Sequence, residues 1–237
     1  MDRDGPVHEL AAICGRERAS ELLSAHLSEA RKARIEDVLS ARLGTVTVAI
    51  EDPHDPHNAA AIVRTAEALG LAEIHAISDK GGVLCGRKTA RGASPWIQDR
   101  HHVSIESFLA VMRQRGMRIA AACVEEGVTI PLSEVPVDRP LCVLVGNERD
   151  GLSPAARAQA ELLFRIPMHG MVESLNVSVA TAVALFEITG RRRRWLARPG
   201  DLSDDVRADL RVSWYARSLD ERLVTALINQ QAAERSP

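Results

Sequence analysis

Between residues 45 and 196 the sequence alternates short aliphatic, largely β-branched runs with stretches of helical period, and that alternation leaves few architectures open. The runs TVTVAI (45–50), EIHAIS (73–78), MRIAAACV (117–124), PLCVLV (140–145) and LLFRIP (162–167) are apolar almost without interruption. A strand with one wet face alternates apolar with polar residues, whereas continuous runs belong to strands covered on both sides. Helical segments separate them, at 59–69, 107–115, from Pro154 onward, and at 177–196. The expected fold is therefore α/β, a mostly parallel sheet with helices on both faces.

Either side of this core the period changes. Residues 1–44 read as helix throughout, with Leu10, Ile13, Leu22, Leu23, Leu27, Ile35, Val38 and Leu39 as the apolar stripe. The last segment opens on the capping residues Asp201-Leu202-Ser203 and returns to amphipathic helix. The expected division is a helical extension (1–44), a catalytic core (45–196) and a second helical extension (197–237).

The net charge of -2 hides an asymmetry, since Lys32, Lys80 and Lys88 are the only lysines among 30 basic residues. Arginine suits planar phosphate and carboxylate contacts, although an arginine excess also arises from genomic composition. The opening MDRDGPVHEL has no basic stretch followed by an apolar one, and no later segment approaches the length of a membrane span, so a cytoplasmic protein is expected. Cys14, Cys85, Cys123 and Cys142 lie far apart and form no C-x-x-C, which argues against a zinc site or a disulfide scaffold.

Ligands of open α/β sheets bind beyond the carboxyl ends of the strands, and three loops there have unusual content. The first, EDPHDPHN (51–58), leads into a helix on which Asn58 suits the N-cap. On that helix Ile62, Val63, Ala66 and Leu69 form the core stripe, and Arg64 projects among Ala60, Ala61 and Ala68, a collar that suggests a packed face. The second loop, GNERDGLSP (146–154), is framed by Gly146 and Gly151. It is no phosphate loop, and Glu148 within it favours a neutral or cationic ligand. The third, Met168 to Asn176, precedes a helix whose first three turns carry only Ser178, Thr181 and Glu187 as polar members. A helix apolar on all sides must be buried on all sides, and one sheet covers only one of them, so a second subunit is expected against the other.

Rival constellations are weaker. No G-x-S-x-G marks a nucleophile. His54 and His57 lack a helix to align them and a third ligand, so no metal is expected. Arg191, Arg192, Arg193 and Arg194 at a helix C-terminus either oppose the helix dipole or meet a nucleic-acid backbone.

At the three loops the sequence resembles the SPOUT class of methyltransferases, and within it the TrmH family. The carrying motifs are N-x-x-A-I-x-R-T (58–65), G-x-E-x-x-G (146–151) and I-P-M-x-G-M-V-x-S-L-N-V-S-V-A (166–180). GGV (81–83) and GASPW (92–96) are similar to the tRNA-modifying branch of that family. The resemblance implies a deep trefoil knot in the C-terminal part of the core, a homodimer with the active site at the interface, and S-adenosylmethionine as methyl donor to a ribose 2'-hydroxyl of RNA. The acceptor it implies is guanosine 18 in the tRNA D-loop, with ribosomal RNA or another tRNA position as the alternative, and a non-catalytic RNA-binding protein as the reading of another class.

The same resemblance implies Arg64 as the catalytic arginine, with Asn58, Glu148, Ser174 and Asn176 completing the site. Leu144, Gly146, Asn147, Ile166, Met168, Ser174, Leu175 and Asn176 would surround the cofactor. Arg31, Lys32 and Arg34, together with Arg191 to Arg194, would meet RNA. The chain departs from the family at Asp55, where a lysine is usual, and at Pro95, where a second basic residue is common. Both changes remove positive charge from the expected RNA path.

Overall fold

The computed structural model of the chain describes residues 5–79, 92–125 and 127–235. Lys80, Cys85, Lys88 and the GGV segment lie outside them. Two compact units result, Arg42–Asp201 and a helical unit built from both chain ends, up to Ala41 and from Leu202 onward. The two terminal segments thus belong to one body rather than to separate extensions.

In the helical unit the expected continuous helix is three: α1 (Gly5–Cys14), α2 (Arg16–Ser24) and α3 (Glu29–Ser40). Gly15 breaks the first pair by adopting φ 83°, a left-handed value that a side chain would strain. Ser28 starts the third by accepting a hydrogen bond from the Arg31 amide.

The larger unit begins with β1 (Val46–Glu51), α4 (Pro56–Ala68), β2 (Glu73–Ile77) and β3 (Gln98–His102). It continues with α5 (Ile105–Gln114), β4 (Arg118–Ala122), β5 (Ile130–Pro131) and β6 (Leu141–Val145), and ends with α6 (Pro154–Gln159), β7 (Leu162–Arg165) and α7 (Val177–Leu196). The helical unit is completed by α8 (Asp204–Arg217) and α9 (Glu221–Arg235), with α1 packed on α9, and α2 and α3 on α8. No described helix is long and apolar enough to cross a membrane.

Among the described residues the seven strands are all parallel, in the order β3-β2-β1-β6-β4-β7-β5. Two cores follow from the two faces. Ile62, Val63 and Ala66 of α4 and Ala184, Leu185 and Ile188 of α7 cover Val48, Ile50 and Val143 on one side. Phe108, Leu109 and Met112 of α5 and Ala156 of α6 cover Ala49, Ile119 and Leu144 on the other. Helices on both faces, as expected, leave the strand ends as the free edges of the sheet.

Under α5 lies a polar inclusion. His75 is fully buried, and its Nδ1 is 2.9 Å from Nε2 of His102. Phe108 meets both imidazoles edge-on, and Glu73, Arg100 and Arg115 continue the cluster. At the amino edge of the sheet, Asp201 closes the unit. Its carboxylate accepts from the Gly44 amide at 2.6 Å and from the Thr45 hydroxyl, and its own amide donates to the Arg42 carbonyl at 2.9 Å.

Candidate active site at the carboxyl edge of the sheet

The loops leaving β1, β6 and β7 meet at the carboxyl edge. The first turns at Asp52, whose backbone is left-handed (φ 47°) and whose amide donates to the Ile77 carbonyl at 2.7 Å. α4 then starts one turn earlier than expected. Asp55 is its N-cap, accepting from the His57 amide at 2.8 Å, with Pro56 in the first helical position. That corrects the expectation for Asn58, which does not cap the helix. Its side chain is free to donate from Nδ2 to Glu148 Oε1 at 2.6 Å and to accept from Asn176 Nδ2 at 3.1 Å. Asn176 caps α7, its Oδ1 taking hydrogen bonds from the Ser178 amide at 2.8 Å and the Ser178 hydroxyl at 2.6 Å. One chain of side chains, Glu148 to Asn58 to Asn176 to Ser178, therefore ties all three loops together.

The loop after β6 is rigid for two reasons. A Cβ on Gly146 would collide with the backbone of Gly151, so only glycine lets the two ends approach. Asn147 and Gly151 exchange backbone hydrogen bonds at 3.2 Å in both directions, and Asn147 Oδ1 accepts from the Arg149 and Asp150 amides at 2.9 and 2.8 Å. The Asn147 side chain is thereby turned into its own loop. Beyond it, Ser153 donates to the Glu51 carboxylate through its amide at 2.8 Å and its hydroxyl at 2.7 Å. Sequence reasoning passed over Glu51. The available signal was a carboxylate closing an otherwise apolar strand, which is costly to bury unless partnered.

Residues 166–176 have no regular structure, and none of the backbone groups of 166–175 hydrogen-bonds within the chain among the described residues. Backbone N–H and C=O groups are obligatory hydrogen-bonding groups, so this stretch offers an open row of donors and acceptors. Ile166 and Met168 are half-buried, and Ser174, Leu175 and Asn176 are exposed. Such a mixture of backbone polar groups and apolar side chains fits an adenosine moiety, whose ring needs apolar cover and whose edges need hydrogen bonds. Leu144 does not belong to that surface. Its side chain is fully buried beneath α5 and α6, since alternate residues of β6 face opposite sides of the sheet.

Arg64 is exposed on α4 and has no partner among the described residues, about 9 Å along the helix axis from Asn58 at the standard rise. Its collar is uneven: Ala60 is buried, whereas Ala61 and Ala68 are exposed on the face that bears Arg64. That face adjoins the exposed side of α7, where Val179, Val183 and Phe186 are 48, 40 and 71% exposed. A groove of about 810 Å³ runs between the two helices, walled by Thr65, Ala68, Val183 and Phe186 and closed at one end by Leu132 and Ile166. The expectation that α7 is covered on every side is met by the chain itself on only one, through Thr181, Ala184, Leu185 and Ile188.

The four arginines at the end of α7 have separate fates. Arg192 is buried, donating to the Thr45 hydroxyl at 3.0 Å and the Val137 carbonyl at 2.8 Å, with Asp201 at 3.9 Å. Arg193 holds the carbonyls of Pro199 and Leu69, each at 2.8 Å, and Arg191 that of Leu132 at 3.2 Å. Arg192 is therefore no RNA ligand, because its guanidinium is used inside the fold. Arg194 is exposed and unpartnered among the described residues. In the helical unit Arg31 donates to the Ser218 hydroxyl at 3.1 Å, Lys32 pairs with Glu29, and Arg34 is exposed. Among the described residues no three His, Cys, Asp or Glu side chains are grouped to hold a metal ion.

Residues 45–186 match the SpoU rRNA Methylase family. The chain is 41% identical over 165 residues to a tRNA (guanosine(18)-2'-O)-methyltransferase of Thermus thermophilus, covering 70% of this chain and 84% of that one. The crystal structure of the A. aeolicus TrmH/SpoU tRNA modifying enzyme superposes with a TM-score of 0.71 at 29% identity, over 81% of this chain and 98% of that one. An AdoMet-bound rRNA methyltransferase from Sinorhizobium meliloti superposes with a TM-score of 0.55 at 27% identity, over 68% of this chain and 60% of that one.

Proposed function

We propose, since the chain belongs to the SpoU rRNA Methylase family, that it transfers a methyl group from S-adenosylmethionine to a ribose 2'-hydroxyl of RNA, with guanosine 18 of the tRNA D-loop as acceptor. The observation that carries this reading is the hydrogen-bonded chain through Glu148, Asn58 and Asn176, which fixes three loops where α/β sheets take ligands. The cofactor, when bound, supplies an electrophilic methyl group on a sulfonium. The open backbone of 166–175 and the chains of Ile166, Met168 and Leu175 would hold its adenosine, with Gly146 and Asn147 closing the other side and Ser174 and Asn176 supplying polar contacts. The negative charge of Glu148 would favour the cationic donor over a phosphate.

In-line transfer demands alignment of donor and acceptor and removal of the hydroxyl proton. Arginine keeps its proton up to a pH above about 12, so Arg64 is not the base. It would hold a neighbouring phosphate and stabilise the oxyanion, with the hydroxyl proton passing to solvent water. Asn58 and Glu148 would orient the cleft rather than react.

In the same reading the chain carries the family's deep trefoil knot. Supporting it, β7 lies between β4 and β5 while α7 packs back on α4. Two copies would pair through Val179, Val183 and Phe186, which brings Arg64 to the interface. Residues 45–196 would be the catalytic core and the terminal segments 1–44 and 197–237 its additions, with tRNA held in the cytoplasm by Arg31, Lys32 and Arg34 of the first segment and by Arg191, Arg193 and Arg194 of the core.

The test is methyl transfer from labelled S-adenosylmethionine to a tRNA transcript, with the modified nucleotide mapped. Methylation of guanosine 18, lost about 10²-fold or more in Arg64→Ala with cofactor binding retained, is the expected result. Wild-type protein that binds tRNA but transfers nothing would leave the RNA-binding reading instead.

A further inference from the structure

Trp195 has no part in the site described above. It is the penultimate residue of α7, and its indole is 56% exposed. It stands nine residues beyond Phe186, about half a turn round at 100° per residue, so it points away from the face assigned to the second copy. The ring is fixed on one side, where the guanidinium carbon of Arg192 lies 4.8 Å from its centroid. Arg192 is itself immobilised by Thr45 and Val137. Among the described residues nothing else bonds to the indole, and more than half of the residue's surface faces solvent.

Positive charge surrounds this ring. Arg194 and Arg198 are exposed and unpartnered among the described residues. Ala197 takes the left-handed conformation (φ 52°, ψ 31°) that turns the chain back at the helix end, and Arg193 holds the turn through the Pro199 carbonyl. Arg198 follows Trp195 by three residues, immediately after that left-handed turn. The acidic groups at this end are engaged, Asp201 with Gly44 and Thr45 and Asp138 with Arg118. A left-handed alanine is disfavoured relative to the right-handed helix, so the turn needs the fixing that Arg193 provides.

Resting on the RNA-substrate reading, we propose that Trp195 is a stacking platform for one unpaired RNA base, with Arg194 and Arg198 holding the phosphates beside it. A rigid aromatic face among free guanidinium groups matches the chemistry of single-stranded RNA, which presents π-faces on a polyanionic backbone. A duplex buries those faces in its own stack, so it would gain only the phosphate contacts. The platform lies about 28 Å from Asn176 along α7, so the stacked base is not the methylated nucleotide but a second anchor on the same RNA.

The test compares binding of a short single-stranded oligouridylate and a blunt RNA duplex by fluorescence anisotropy over a salt series. Trp195→Ala and Trp195→Leu, the latter keeping apolar bulk without a π-face, should each weaken oligouridylate binding about tenfold, leave duplex binding unchanged and preserve the salt slope. Trp195→Phe should restore most of the affinity. Arg194→Gln and Arg198→Gln should each flatten the slope by about 0.7. Oligouridylate affinity unchanged in Trp195→Ala, or duplex affinity falling by the same factor, overturns the platform. Because the readout is binding, failure of tRNA methylation would overturn the catalytic reading alone, and intact methylation with an indifferent Trp195→Ala would overturn this one alone.

Discussion

Asn58 donates to Glu148 across 2.6 Å and accepts from Asn176 across 3.1 Å, so the orientation of one amide is dictated from both sides. An amide satisfies both partners, because the group must give hydrogen to a carboxylate and take it from another amide, and a carboxylate in its place could only accept. Asn58→Asp would place two carboxylates in contact. Methyl transfer in that variant should fall about 10²-fold near neutral pH and recover in part at lower pH, where the pair binds one proton. Thermal stability should change little, since the residue is not buried. Initial rates over a pH series, with melting curves alongside, check both parts, and a flat pH dependence of the residual rate would contradict the account.

The arginine run should split by burial. Arg192→Ala removes the partner of a buried carboxylate and two hydrogen bonds, and should destabilise the protein by roughly 3–5 kcal/mol. Arg194→Ala should leave stability within about 0.5 kcal/mol. Urea unfolding of the two variants separates them, and equal midpoints would show that Arg192 is not the structural member.

The histidines under α5 should make the protein acid-sensitive in two steps. Burial, and the charges of His75, His101 and Arg100, push His102 down to about 4 from its ordinary 6.5. An unfolded chain takes up that proton near 6.5 and the folded one refuses it until about 4, so stability present above 6.5 is lost as the pH falls from 6.5 to 4. Burial alone would push the Glu73 carboxyl up, but His75 and Arg115 outweigh it and hold it at about 2, which adds a second loss between 4.5 and 2. Denaturation midpoints should therefore decline below pH 6.5, and His102→Gln should flatten the upper window while sparing the lower one.

Phe186→Glu places a charge at the centre of the exposed apolar face of α7. On the proposed pairing, the wild type is expected to sediment as a dimer and the variant as a monomer, and the variant should lose methyl transfer while keeping its helix content. A variant that still sediments as a dimer would move the interface elsewhere.

Much of the fold was legible because burial writes itself into composition: the continuous aliphatic runs became β1, β2, β4, β6 and β7, each covered on both faces. β3 was not legible. Its sequence QDRHH carries no apolar signal, since among the described residues it is an edge strand paired only with β2 and largely exposed. At α4 both Asp55 and Asn58 suit an N-cap, and the Pro56 that follows Asp55 was the signal that decides between them. Four successive arginines on one helix sweep about 300°, so one of them had to face inward, although the sequence does not say which. The motifs brought Asn58, Glu148 and Asn176 to one place as a set, yet the burial of the Leu144 side chain under α5 and α6 was not legible, because an apolar run on a strand covered on both faces does not say which residue faces which side.

The helical unit joins helices that precede the sheet in the chain to helices that follow it, α1 to α9 and α3 to α8, with Glu36 gripping Arg211 at 2.5 and 2.8 Å. During synthesis α1, α2 and α3 leave the ribosome long before their partners exist, and they must wait as exposed amphipathic segments while the entire sheet is translated. A nascent chain stalled anywhere before α8 would present those apolar stripes to chaperones.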